Sequence, residues 1–146
     1  MTAMERPTLP PSGDYRRRFL MLASVAYLVL GISYLATPVT AGRQAGFAWL
    51  PDALSISTLG WVWVVVAVGV TVASLVWPTS RTVERWCFTA LTIPPTLWAG
   101  IFCASWLLGA HPVGYASMIS YGLMSGMTLL AASWPNPPKP GGEARD

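Results

Sequence analysis

The chain reads as an all-α integral membrane protein, a four-helix bundle with both termini in the cytoplasm, and three observations lead there. Of its 146 residues, 53% are hydrophobic and only 10% are charged, less than half the charged share of a typical soluble domain. The nine basic and six acidic residues are gathered into short clusters. Between them lie uncharged runs of 24 residues from Phe19 to Gly42, 28 from Ala53 to Ser80 and 53 from Trp86 to Pro138. A hydrocarbon core of roughly 30 Å needs about 20 helical residues, so the first two runs hold one span each and the third holds two. The basic residues are also strongly one-sided. Such a length accommodates one small bundle with short tails and no accessory domain.

Residues 1–18 form a basic tail. Its first fourteen positions (MTAMERPTLPPSGD) are rich in Pro and charge, bury little and are expected to be disordered. The first span, about 19–37, follows Arg16, Arg17 and Arg18. Those three arginines, the apolar stretch and Val39-Thr40-Ala41 also imitate an export signal cleaved after residue 41. The apolar stretch from Phe19 to Ala36 is 18 residues, longer than a usual signal core, which favours a retained span. Tyr27, Gly31 and Tyr34 fall on one face of it, expected to pack inward rather than bind a cofactor. The outer loop, about 38–57, carries Phe47-Ala48-Trp49-Leu50-Pro51, expected to rest in the membrane interface, with a partner contact as the alternative.

The second span, about 58–77, contains the segment Trp61–Val76, apolar on every face and sixteen residues long. Barrel strands are shorter and alternate in polarity, so a β-barrel is excluded. Arg81 and Arg85 mark the next loop. The third span, about 86–109, holds Pro94-Pro95, whose missing N–H groups free the carbonyls of Ala90 and Leu91 and predict a kink. Thr92 and Thr96 stand near enough to help satisfy them, and a hinge or water-lined polar patch is the functional alternative. Gly109-Ala110-His111-Pro112-Val113-Gly114 turns the chain back. The fourth span, about 113–134, is followed by a second disordered tail, 135–146, in which four prolines stop the helix.

Orientation follows the basic residues. Arg6, Arg16, Arg17, Arg18, Arg81, Arg85, Lys139 and Arg145 fall on one side and Arg43 alone on the other. Both termini are therefore expected in the cytoplasm of a bacterial host, in its cytoplasmic membrane. Trp61, Trp63, Trp77, Trp86, Trp106 and Trp134 stand near span ends as interfacial anchors, leaving Trp98 in mid-span.

The same residues restrict the chemistry. No Asp, Glu, Lys or Arg lies inside an expected span, which disfavours ion-coupled transport and voltage sensing. A single histidine, His111, rules out a bis-histidine haem within one chain and a histidine-rich metal centre; it is read as a turn residue. Cys87 and Cys103 are sixteen positions apart on one helix, about 24 Å, and cannot pair with each other. Ser117, Ser120, Ser125 and Ser133 have no base beside them and are expected to bond within the bilayer to a neighbouring helix or to their own preceding turn. No enzyme activity, cofactor, metal or nucleic-acid partner is expected.

What the sequence does offer is packing. Gly122 and Gly126 form a GxxxG motif, and Gly69 with Ala73 and Gly100 with Ala104 repeat the small-xxx-small spacing. Such faces let another backbone come close, either within the bundle or from a second copy or another membrane protein.

A chain of four uncharged spans with small-residue faces and both ends inside resembles, in topology and composition over residues 15–135, the small membrane proteins of actinobacterial phages, among them holins. The resemblance implies accumulation in the cytoplasmic membrane, lateral self-association and an abrupt lesion that releases or activates an endolysin. A non-catalytic accessory or structural subunit of a larger membrane complex, packing through Gly122 and Gly126, is the alternative. A small channel or transporter using the Pro94-Pro95 break ranks below both.

Overall fold

A computed structural model describes residues 13–38, 40–51, 54–78 and 80–134, with backbone alone for residues 13, 14, 42 and 43. Of the expected disordered tails, residues 1–12 and 135–146, with Arg6, Lys139 and Arg145, lie outside the described residues, whereas residues 13–18 are not disordered but open α1. Regular structure among the described residues is entirely helical: α1 (Gly13–Ala36), α2 (Ala41–Phe47), α3 (Ile56–Val76), α4 (Arg81–Leu107) and α5 (Gly114–Ser133). Three stretches, Tyr15–Ala36, Ile56–Val76 and Arg81–Leu107, are long and apolar enough to cross a membrane. The fourth, α5, is uncharged and 20 residues long, but its Ser, Thr, Tyr and Gly residues leave it less apolar than the others.

Each helix begins and ends for a local reason. Arg16–Arg18 do not precede α1 but lie in its opening turns, since arginine is a good helix former and charge alone does not stop a helix. Ser55 caps α3 by accepting the Thr58 N–H at 3.2 Å, and Ser80 caps α4 by accepting that of Val83 at 3.4 Å. The turn expected at Gly109 is a full Schellman closure. Gly109 takes a φ of 71°, its N–H donates to Trp106 O at 3.0 Å, and the Ala110 N–H donates to Ser105 O at 3.0 Å.

The helices pack as two tight pairs, α1 with α3 and α4 with α5, joined chiefly by α3 against α4. Close approach in the first pair depends on two glycines. A Cβ on Gly31 would lie 2.7 Å from Val64 Cγ2, and one on Gly60 would lie 3.0 Å from Tyr34 Cβ. The buried stripe of α3, Leu59, Trp63, Ala67, Val70 and Ser74, recurs every three or four residues. The opposite faces stay greasy: Leu22, Val29, Val65, Val72, Leu123 and Leu130 are all largely exposed. An exterior this apolar suits hydrocarbon as its solvent.

Three expectations are corrected. Of the loop cluster, Phe47 does not lie outside: the short α2 folds it back and buries it against Trp98 and Phe102, while Ala48, Trp49 and Pro51 stay exposed. Trp63 is no interfacial anchor. It lies two residues after Trp61, on roughly the opposite side of the helix, and is fully buried, whereas Trp61, Trp77, Trp86, Trp106 and Trp134 are exposed. In α4, which stays helical through the buried Pro94 and Pro95, the neighbouring threonines do not bond the carbonyls that the prolines free. Thr92 donates to Phe88 O at 2.9 Å and Thr96 pairs with Ser125 of α5 at 2.6 Å.

Candidate functional site

Two features of the bundle go beyond ordinary packing. The first is an aromatic centre. Trp63 of α3 and Trp98 of α4, each 0% exposed, meet edge to face with ring centroids 5.3 Å apart. Tyr27 of α1 stands on Trp63 at 4.7 Å, while Tyr34 and Phe47 stand on Trp98 at 5.5 and 5.9 Å. Phe102 stacks on Tyr121 of α5 at 5.9 Å, and the Tyr34 and Tyr121 hydroxyls hydrogen-bond to each other across the bundle. Edge-to-face rings of this kind fill space densely. Rings therefore fill the middle of the described bundle at this level. The α2 cap completes it from one end, where a Cβ on Gly46 would strike Phe102 Cε1 at 2.5 Å.

The second feature is a buried clasp at the other end. Arg16, 7% exposed, forms an ion pair with Glu84 in the first turn of α4. The same guanidinium donates to Trp134 O at 3.1 Å, just past the end of α5, and lies over the Phe88 ring at 5.1 Å. One side chain thus ties together the start of α1, the start of α4 and the end of α5. The two ends of the described bundle consequently lie side by side.

The residues singled out by sequence fall into separate places. Of the topology arginines, Arg16 is turned inward into the clasp while Arg17, Arg18, Arg81 and Arg85 are exposed at the same end. Pro94 and Pro95 are buried between helices and line no opening. Gly69, Gly100, Gly122 and Gly126 are exposed, with nothing within 4 Å of an added Cβ; Ala73 and Ala104 are half-buried. These glycines do not mediate packing inside the chain, because each points away from its neighbouring helix. Sequence spacing identifies a small-residue face without saying which way it turns. The glycines that do mediate close approach include Gly31 and Gly60, of which only Gly31 stands out in the sequence, through its stripe with Tyr27 and Tyr34.

Smaller groups behave as their chemistry requires. Ser120 and Ser133 donate to their own preceding turns, to Ala116 O and Leu130 O. His111 is half-buried in the turn, its ring 6.2 Å from that of Phe102. Cys87 and Cys103 are both free thiols. Among the described residues, no three His, Cys, Asp or Glu side chains gather where a metal could sit. What sequence reasoning missed is Glu84. It is the acid nearest an expected span, two residues before Trp86, and that nearness was the signal.

No family model, curated protein or solved structure matches the chain.

Proposed function

We propose that the protein is a four-span membrane protein that acts by lateral association in the bacterial cytoplasmic membrane rather than by catalysis, self-associating through the outer face of α5. In this reading α5 is the fourth span, both ends of the chain face the cytoplasm, and assembly permeabilises the membrane in the manner of a holin. One observation carries it. Gly122 and Gly126 present open space on an exposed helix face, the setting in which a GxxxG motif admits a second backbone. The ring-filled centre supports the same reading, since it favours a passage between chains over one through a single chain.

The test is controlled expression in bacteria with membrane potential and culture density followed together. Abrupt collapse, delayed when Gly122 and Gly126 are replaced by Ile, is the expected result; collapse with unchanged timing overturns the role of that face. Steady growth overturns permeabilisation and favours the second reading, a non-catalytic accessory subunit that uses the same face against another membrane protein. The clasp favours that alternative, because a bundle tied at Arg16 is complete as a single chain.

A further inference from the structure

A notch opens beside the clasp, between the start of α1, the end of α3 and the start of α4. Arg17, Leu20, Ser74, Trp77, Ser80 and Glu84 line it. Its enclosed part measures about 40 Å³, room for two or three water-sized groups. Ser74 is 6% exposed, and its Oγ makes no well-formed hydrogen bond; its one polar contact is with the Cys87 thiol, a weak partner. A buried hydroxyl left so poorly satisfied calls for a ligand atom or water in the notch.

The electrostatics favour an anion. The Glu84 carboxylate is engaged by Arg16, whereas Arg17 is exposed and has no ion-pair partner among the described residues. The first turn of α4 adds the positive end of a 27-residue helix. Arg81 and Arg85 stand on that same opening stretch. Trp77, largely exposed at the mouth, offers an amphipathic ring of the kind that settles at headgroup level.

We infer that this notch binds the phosphodiester headgroup of an anionic membrane phospholipid, resting on the membrane-spanning reading above. Arg17 holds the phosphate charge at the mouth, one phosphate oxygen reaches inward to the Ser74 hydroxyl, and the glycerol and acyl chains stay outside against Trp77. The enclosed space is too small for the whole ester, which fits an anchored lipid better than an engulfed solute.

The experiment places the full chain in nanodiscs of phosphatidylcholine alone or of equal parts phosphatidylcholine and phosphatidylglycerol. It then counts lipids retained after release into detergent by native mass spectrometry. Wild-type chain should retain one phosphatidylglycerol and no phosphatidylcholine, and melt roughly 3 °C higher in the mixed discs. Arg17→Gln should lower retention about fivefold. Ser74→Ala removes no charge, so general attraction to an anionic surface predicts no effect, whereas the notch predicts a clear loss of retention with unchanged melting in phosphatidylcholine. Retention unchanged in both variants overturns the proposal, as does equal retention of phosphatidylcholine. Stabilisation by inorganic phosphate in phosphatidylcholine discs, matching that by the lipid, overturns the lipid as the source of the anion. A chain that enters the discs yet holds no phosphatidylglycerol refutes this site alone; one that fails to enter refutes the membrane reading with it.

Discussion

The indole rings of Trp63 and Trp98 meet edge to face at the centre of the bundle, 5.3 Å apart, and neither ring nitrogen has a hydrogen-bond partner among the described residues. Both side chains contribute volume and ring contacts, and neither contributes a conventional hydrogen bond.

Replacing Trp98 by Phe should therefore cost only the lost volume, about 1–2 kcal/mol, whereas Trp98→Ala should cost about 3–5 kcal/mol. Reversible unfolding in mixed micelles measures both. A Phe variant as damaging as the Ala variant would mean that the indole nitrogen has a partner after all.

Glu84→Gln leaves the Arg16 guanidinium buried without its counter-charge. Loss of one member of a buried pair costs about 3–5 kcal/mol, and with the Glu84 side chain 26% exposed the expected loss is about 2 kcal/mol. Arg16→Leu combined with Glu84→Leu should recover most of it, because no lone charge then remains. The same unfolding assay applies, and a double variant less stable than Glu84→Gln would contradict this account.

Gly31→Ala should destabilise the bundle by about 1–2 kcal/mol, since the new methyl must displace Val64 Cγ2 or the α3 backbone near it. Gly69→Ala and Gly122→Ala meet open space and should leave the melting of the isolated chain unchanged or slightly raised. Thermal melts of the three variants side by side give the comparison.

Orientation can be read by thiol labelling. With Cys87→Ser and Cys103→Ser as background, a membrane-impermeant maleimide should label Gln44→Cys and Ala110→Cys in intact cells and Arg85→Cys only after lysis. Gln44, Ala110 and Arg85 are all exposed, so burial does not confuse the pattern. Labelling of Arg85→Cys in intact cells would reverse the proposed topology, protection of Ala110→Cys there would mean that α4 does not cross, and labelling of Ser133→Cys, exposed at the far end of α5, in intact cells would remove the fourth span.

The helical segments and the Gly109 turn were legible because uncharged run length and a glycine–proline break act locally. The inward face of α1, marked by Tyr27, Gly31 and Tyr34, was legible too, since that stripe differs chemically from its surroundings. On α3 nothing distinguishes inside from outside: Val65 and Val66, or Trp61 and Trp63, are equally apolar to lipid and to core. Only the partner helix decides, which is why Trp63 reads from sequence as an anchor and Gly122 as a packing residue of either kind. The clasp was hidden for another reason. Arg16 looks like its neighbours Arg17 and Arg18, and its burial depends on groups far along the chain.

That distance shapes biogenesis. The carbonyl that Arg16 holds lies 118 residues downstream, so the first helix reaches the translocon before that carbonyl has been synthesised. Until α4 and α5 follow, the arginine lacks the Glu84 carboxylate, the Phe88 ring and the Trp134 carbonyl, and the last segment to insert locks the earlier ones in register.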